Sequence, residues 1–248
     1  MRQGDFSQLA KAYVHRPAYA VPVIDALAGQ TGHQVADIGA GTGKLTKMLA
    51  ERGGLSGFAV EPTDEMRHEG EQLGLPGFTW VKGTAEATGL DDNAFDWVTM
   101  ASAFHWTDAP KALAEFHRIL RPGGLLTLMW NPRDVEHDPL QSAIEAKILE
   151  IYPQLQRKSS GAAAYTQGLE DILMSSGLWG DLLFLEAPHI ETMSVERHMG
   201  AWRSVNDVPA QAGPEKWAEI LAAIEDLLKG RDQIDVRYRT RAWSVRKV

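Results

Sequence analysis

The run Val35-Ala36-Asp37-Ile38 ends abruptly in Gly39-Ala40-Gly41-Thr42-Gly43, and a helix-forming segment, 44–52, begins at once. A strand that hands over to a helix through three glycines in five residues leaves few folds open. Glycine takes positive φ at no steric cost and lets a ligand approach the main chain without meeting a Cβ. The first N–H groups of the following helix, meanwhile, have no partner of their own. The pattern predicts a cradle for a polar ligand at a strand end. Two spellings of such a cradle are excluded. A dinucleotide fingerprint needs a glycine three positions after Gly41, where Lys44 stands. A phosphate-binding loop needs glycine and Ser/Thr where Ile38 and Leu45 stand. A plain strand-to-helix turn accounts for one glycine more readily than for three beside an acid.

The same rhythm runs on along the chain. A short helix at 21–28, stopped by Gly29 and Gly32, precedes the strand at 34–38. A second apolar run from Gly57 ends on Glu61 and Pro62, and Thr63 is placed to cap a helix over 64–73 with Asp64 and Glu65 at its positive end. Strands at 78–81 and 95–100 lead into Gly83-Thr84-Ala85-Glu86 and Ala101-Ser102-Ala103-Phe104-His105-Trp106. A helix over 109–120 closes on Arg121-Pro122-Gly123-Gly124 before a strand at 125–130.

Unbroken apolar strands alternating with helices imply an α/β fold, a mostly parallel sheet covered on both faces. Right-handed crossovers then bring the loops after the strands to one edge, where they share a site. After Trp130 the rhythm breaks. Helical text fills 132–178 around a polar stretch at 158–164, strand text resumes at 182–187, more helix spans 194–229, and a last strand covers 235–245. Helical material inserted late over strand ends reads as a lid. The organisation expected is a core at 1–131 with an N-terminal helical segment, a lid insertion at 132–178, and residues 179–248 supplying two strands and a second insertion.

Composition narrows the partners. A formal charge of −8 over 248 residues argues against a nucleic-acid backbone, whose binding rests on concentrated Lys and Arg. With no cysteine there is no disulfide, thiolate zinc site or thiol nucleophile, which fits a cytoplasmic location. No apolar run reaches the roughly 18 residues that span a bilayer, and no signal-type apolar stretch opens the chain. The eight histidines show no pair at metal-ligand spacing, so no metal is expected. There is no Gly-x-Ser-x-Gly elbow either.

With the glycine loop, the acid ending the second strand and the Arg121-Pro122-Gly123-Gly124 turn in hand, the chain resembles class I S-adenosylmethionine-dependent methyltransferases, type 11 small-molecule branch. That family writes its first motif D-x-G-x-G-x-G, which Asp37, Gly39, Gly41 and Gly43 spell in full. Tyr13, Arg16-Pro17 and Tyr19 resemble the branch's opening, and Tyr238-Arg239-Thr240 its last strand. The resemblance implies a Rossmann-like seven-stranded sheet whose last strand is antiparallel. It also implies S-adenosylmethionine as cofactor and a small-molecule methyl acceptor. Oxygen, carbon and nitrogen acceptors all stay open, although the Asn/Asp-Pro-Pro-Tyr/Phe sequence of amino methyltransferases is replaced by 101–104.

For the cofactor, the resemblance implies Glu61 on the ribose hydroxyls and Asp37 on the ammonium of the methionine tail, with helix capping as its alternative. Pro62 and Met66 fall near the ribose and adenine, Thr84, Ala85 and Glu86 at the adenine edge, Ala101 and Ser102 on the floor, and Arg16 among the cofactor contacts. His105 is placed for a catalytic role as base or positioner, its ordinary pKa near 6.5 suiting a base. Tyr13, Trp106, Trp130, Asn131, Trp202 and Arg203 are the substrate-side expectations, and a monomer or homodimer is expected. A family member with non-methylating chemistry or a regulatory role, and an NAD(P)-dependent oxidoreductase, are the competing readings.

Overall fold

The computed structural model describes residue 13 and residues 15–157, 166–205 and 207–248. The polar stretch expected at 158–164 lies outside the described residues. Seven strands, β1 (Gln34–Ile38), β2 (Ser56–Val60), β3 (Phe78–Val81), β4 (Phe95–Ala101), β5 (Leu120–Trp130), β6 (Trp179–Ser194) and β7 (Gln233–Lys247), form one sheet in the order β3-β2-β1-β4-β5-β7-β6. β1 to β5 are parallel, while β7 runs antiparallel to both β5 and β6. Strand order reverses at β1, which lies between β2 and β4, so the crevice above the carboxyl ends of those strands is where such a sheet binds its ligand.

Period-two alternation sorts the core. Val35, Trp97 and Leu125 face α1 (Val21–Ala28) and α2 (Lys44–Ala50), whose Ile24, Leu27 and Leu49 are fully buried. Their chain neighbours Ala36, Val98 and Leu126 face the other way, onto α4 (Ala109–Ile119) through Leu113 and Phe116. Between these lies α3 (Asp64–Glu71). Helix α4 shows why the pattern works: Asp108 caps it by accepting from the Lys111 N–H, and Ala112, Leu113, Phe116 and Ile119 recur on one face.

Some elements differ from the sequence expectation. Thr63 makes no side-chain cap on α3; its N–H instead donates to Glu61 Oε1 at 2.9 Å. The Arg121–Gly124 turn does not precede β5 but bulges within it: Leu120 already pairs with Phe95, and pairing resumes at Trp97 and Leu125. Strand β6 runs well beyond 182–187 because its half-buried, polar-alternating ends pair with β7 along nearly its whole length, and alternation hides such a strand from a search for apolar runs.

The helical text also divides. α5 (Pro139–Ile151) packs with α7 (Val195–Arg203) and α8 (Asp207–Leu227) around Ile144, Ile148, Trp202, Ile220 and Ile224. α6 (Leu169–Ser175) instead puts Leu169 and Leu173 into the sheet core with Trp179 and Trp243. The stretch 132–178 is therefore not one layer.

Candidate active site

The carboxyl ends of β1, β2 and β4 open into a cavity of about 330 Å³. Its walls bring together Tyr13, Arg16, Asp37, Gly39, Gly41, Glu61, Pro62, Met66, Thr84, Ala85, Glu86, Ala101, Ser102, Trp106 and Asn131 among the expected residues. Pro17, Tyr19, Thr42, Lys44, Thr63, Met100, Ala103 and Thr107 complete much of the rest. Gly43, His105, Trp130, Trp202 and Arg203 do not line it.

The glycine loop supplies shape more than donors. Gly39, Gly41 and Gly43 have φ of 66°, 59° and 83°. A Cβ on Gly41 would meet no atom within 4 Å and would project into open space, so its absence keeps the cavity open. At Gly43, a Cβ would come within 2.9 Å of Leu73 and 3.1 Å of Trp80, so that glycine serves packing behind the loop. The N–H groups expected to face a ligand are largely spent: Gly39 and Ala40 donate to the Val60 carbonyl, Gly43 to that of Ala40, and Gly41 to Glu61 Oε2 at 2.9 Å.

Among the described residues no cation pairs with either acid of the cavity. Glu61 is 6 % exposed, and its oxygens accept from the N–H groups of Gly41 and Thr63. That leaves each oxygen a second lone pair for a hydroxyl. Asp37, 1 % exposed, accepts from Thr46 Oγ1 at 2.6 Å and Thr99 Oγ1 at 2.9 Å. Thr99 is its direct partner in the β1/β4 register. Burial, reinforced by the charge of Glu61 and opposed by the two hydroxyls, raises the Asp37 pKa to about 6. Among the described residues the partners of this buried carboxylate are the two hydroxyls and the Thr46 N–H, with no cation.

The end of β4 carries a strained residue. Ser102 has φ +55°, uncommon for a residue with a side chain, and its N–H donates to the Met129 carbonyl at 2.7 Å. Its hydroxyl lies 3.2 Å from that of Tyr19. Burial above all keeps the Tyr19 phenol protonated far above its ordinary range. Tyr19 belongs to a strap, residues 15–20, that crosses the cavity and is tied down repeatedly. Arg16 donates from Nε to Ser204 Oγ at 2.6 Å and from Nη2 to the Ser204 carbonyl at 3.0 Å. Asn131 donates to the Ala18 carbonyl at 2.7 Å and accepts from Thr240, whose hydroxyl accepts the Ala20 N–H.

The remaining expected residues are placed as follows. Glu86 accepts the Asp108 N–H at 2.9 Å, which ties the loop after β3 to the head of α4. His105 sits in a short 3-10 turn, Phe104–Trp106, with its ring centroid 4.7 Å from that of Trp106. Its Nδ1 accepts from Trp130 Nε1 at 3.4 Å. A neutral imidazole has one lone-pair nitrogen, and here that nitrogen is engaged. Burial, then the charge of Arg16, lowers its pKa to about 4. Both features run against the poised base expected near 6.5. Trp130 is fully buried, edge-on to Trp243 behind the wall. Trp202 is fully buried among α5, α7 and α8, and Arg203 points to Glu225 at 3.0 Å on an exposed face. The apolar packing of α7 turned that pair away from the cavity.

Sequence reasoning missed Thr46, Thr99, Lys44 and Tyr19 as site groups. The first two left a signal: hydroxyls at fully buried positions of an apolar helix face and an apolar strand.

Comparison with known proteins agrees with this geometry. A family model described as a methyltransferase domain, type 11, matches residues 36–128. An uncharacterized methyltransferase of Mycobacterium tuberculosis is 48% identical over 119 residues, 48% of each chain. The ubiquinone/menaquinone biosynthesis C-methyltransferase of Cronobacter sakazakii is 33% identical over 153 residues, 57% of this chain and 61% of its own. The aligned stretch spans about half the length of the first of these relatives and under two thirds of the second. A solved structure from Anaeromyxobacter dehalogenans, described as a candidate type II methyltransferase, superposes with a TM-score of 0.69 at 19% identity, covering 93% of this chain and 97% of its own. The fold is that of a Rossmann-like α/β protein. The part of the chain that matches the methyltransferase domain model runs from the glycine loop through β5.

Proposed function

We propose that the protein transfers a methyl group from S-adenosylmethionine to a small metabolite. The observation that carries this reading is the pairing of Glu61 and Asp37 across the glycine loop, both buried, both lining one cavity and neither bonded to a cation among the described residues. The residues fit the cofactor piece by piece. Glu61 offers its free lone pairs to two ribose hydroxyls, and the open side of Gly41 leaves room beside it. Asp37 receives the tail ammonium, and Arg16 or Lys44 receives the tail carboxylate. Met66 and Pro62 pack the nucleoside, with Ala85 and Thr84 at the adenine edge.

When bound, S-adenosylmethionine supplies an electrophilic methyl carbon on a sulfonium centre. The chain's own part is alignment and exclusion of water, which is worth several kcal/mol for a displacement of this kind. The group that would leave is a neutral thioether, so the chain needs no acid beside it. The strap carrying Arg16 and Tyr19 closes the acceptor side, and Ser102 and Tyr19 fix the floor by their mutual hydrogen bond. His105, its one acceptor nitrogen given to Trp130, serves as a positioning residue for the Trp106 wall.

The test is transfer of labelled methyl from S-adenosylmethionine to a metabolite panel, run beside calorimetric titration with S-adenosylhomocysteine. Cofactor binding with labelled product is the expected result. Binding without product across the panel would favour the non-methylating reading.

A further inference from the structure

Beneath α7, next to the cavity, lies a buried polar cluster that the cofactor does not use. The Arg133 guanidinium stacks 4.2 Å from the Trp202 ring centroid, and its Nε has no hydrogen-bond partner. The neighbouring Arg157, 5.6 Å from the same ring, takes the carboxylates of Glu145 and Asp207 for itself. His198, fully buried, accepts at Nε2 from Trp202 Nε1 at 3.1 Å, so the neutral ring carries its proton on Nδ1. That Nδ1 also lacks a partner, and burial together with the Arg133 charge pushes the ring's pKa down to about 3, which keeps it neutral. Tyr238, 2 % exposed, pairs through its backbone with Arg133 and turns its hydroxyl to the guanidinium. Gln141, 1 % exposed on the inner face of α5, leaves both amide atoms unbonded.

Such groups are not left dry without cost, since each unmet buried donor or acceptor forfeits the hydrogen bonds it made to water. Among the described residues Arg133 makes no ion pair, and the unmet atoms around it are donors on Arg133, His198 and Gln141 with acceptors on Gln141 and Glu191. The cluster borders the cavity: Asn131, two residues before Arg133, lines it, and Arg16, which also lines it, bonds Ser204 just after α7.

We propose that Arg133, with the His198 Nδ1–H and the Tyr238 hydroxyl, receives a carboxylate of the methyl acceptor, so that the acceptor is an organic acid anchored under α7. The planar guanidinium matches a carboxylate, and a single guanidinium without an ion-pair partner among the described residues matches a monoanion better than a phosphate dianion. A neutral amide would meet some of the donors but not the charge. This assignment rests on the methyltransferase reading and names its substrate class.

The test uses the protein loaded with S-adenosylhomocysteine and a panel of aliphatic and aromatic carboxylic acids with their matching primary amides, read by thermal shift. At least one acid is expected to raise the unfolding midpoint while its amide does not. Arg133→Met should abolish that response, raise the acceptor KM at least thirtyfold where turnover is seen, and leave S-adenosylhomocysteine affinity within twofold. Arg133→Lys, which keeps the charge, should recover part of the response, and retained cofactor binding verifies that each variant is folded. Equal responses to acid and amide, no response to any acid, or an Arg133→Met response like that of the parent would overturn the assignment. Failure of the parent to bind S-adenosylhomocysteine would overturn the methyltransferase reading itself.

Discussion

The two ends of the site treat their polar groups in opposite ways. At the β1–β2 end every acid is already seated: Asp37 between two threonine hydroxyls, Glu61 between two main-chain N–H groups. At the α7 end Arg133, His198 and Gln141 keep unmet hydrogen-bonding atoms in a buried setting. A ligand that never varies can be met by a rigid, fully satisfied cradle, which is preorganisation in its plain sense. An acceptor is recognised by groups whose bonds are completed only when it arrives, and that is how a site rejects what lacks them.

Substitutions should separate the ends. The largest effect is expected at Gly41→Val, where a branched side chain enters the open side of the loop at φ +59°. Calorimetry should show S-adenosylhomocysteine affinity down at least ~100-fold, about 3 kcal/mol, with roughly 1–2 kcal/mol of strain visible as a lower denaturation midpoint. A full-affinity variant would break the claim that the loop works by leaving space. The Arg133 variants described above should act in the reverse sense, on the acceptor alone.

A smaller effect sharpens the electrostatic half of the comparison. Asp37 has its folded pKa raised to about 6 from an ordinary value of 3.8, so the native apo protein binds more protons than the unfolded chain between those values. Its contribution therefore disfavours the folded apo state increasingly as pH rises through that window, and the cost is fully present above about 6. Cofactor binding has the opposite dependence, because the ammonium needs the ionised acid. Lowering the pH from 7.5 to 5.5 should weaken S-adenosylhomocysteine about fourfold, and Asp37→Asn should remove that pH dependence. A pH-independent parent would show that Asp37 is a structural acid.

The contrast also explains what could be read from the sequence. The loop, Asp37 and Glu61 are local grammar: strand, turn and helix in one short stretch, with the second acid at the next strand end. Their neighbours Thr46 and Thr99 were overlooked because a lone threonine in an apolar element carries no sign of which partner the register will bring to it. Trp202 and Arg203 failed as cavity residues for a tertiary reason. The period of α7 marks an apolar face, but not whether that face meets the cavity or α5 and α8. His105 was placed correctly after β4, yet its pKa and its bond to Trp130 depend on a strap nearly ninety residues earlier and a strand that follows, which no local pattern encodes. The polar cluster around Arg133 is still less legible, since it is assembled from α5, α7, β7 and the segment after β5.

The central claim is that a buried acid at the end of β2 holds a ribose in the cavity above β1. Titration of S-adenosylhomocysteine into the parent and Glu61→Ala tests it most directly. The account predicts clear binding by the parent and a loss of at least ~10-fold in the variant, about 1.4 kcal/mol or more for a charged bidentate contact. Equal affinity in the two proteins would contradict it.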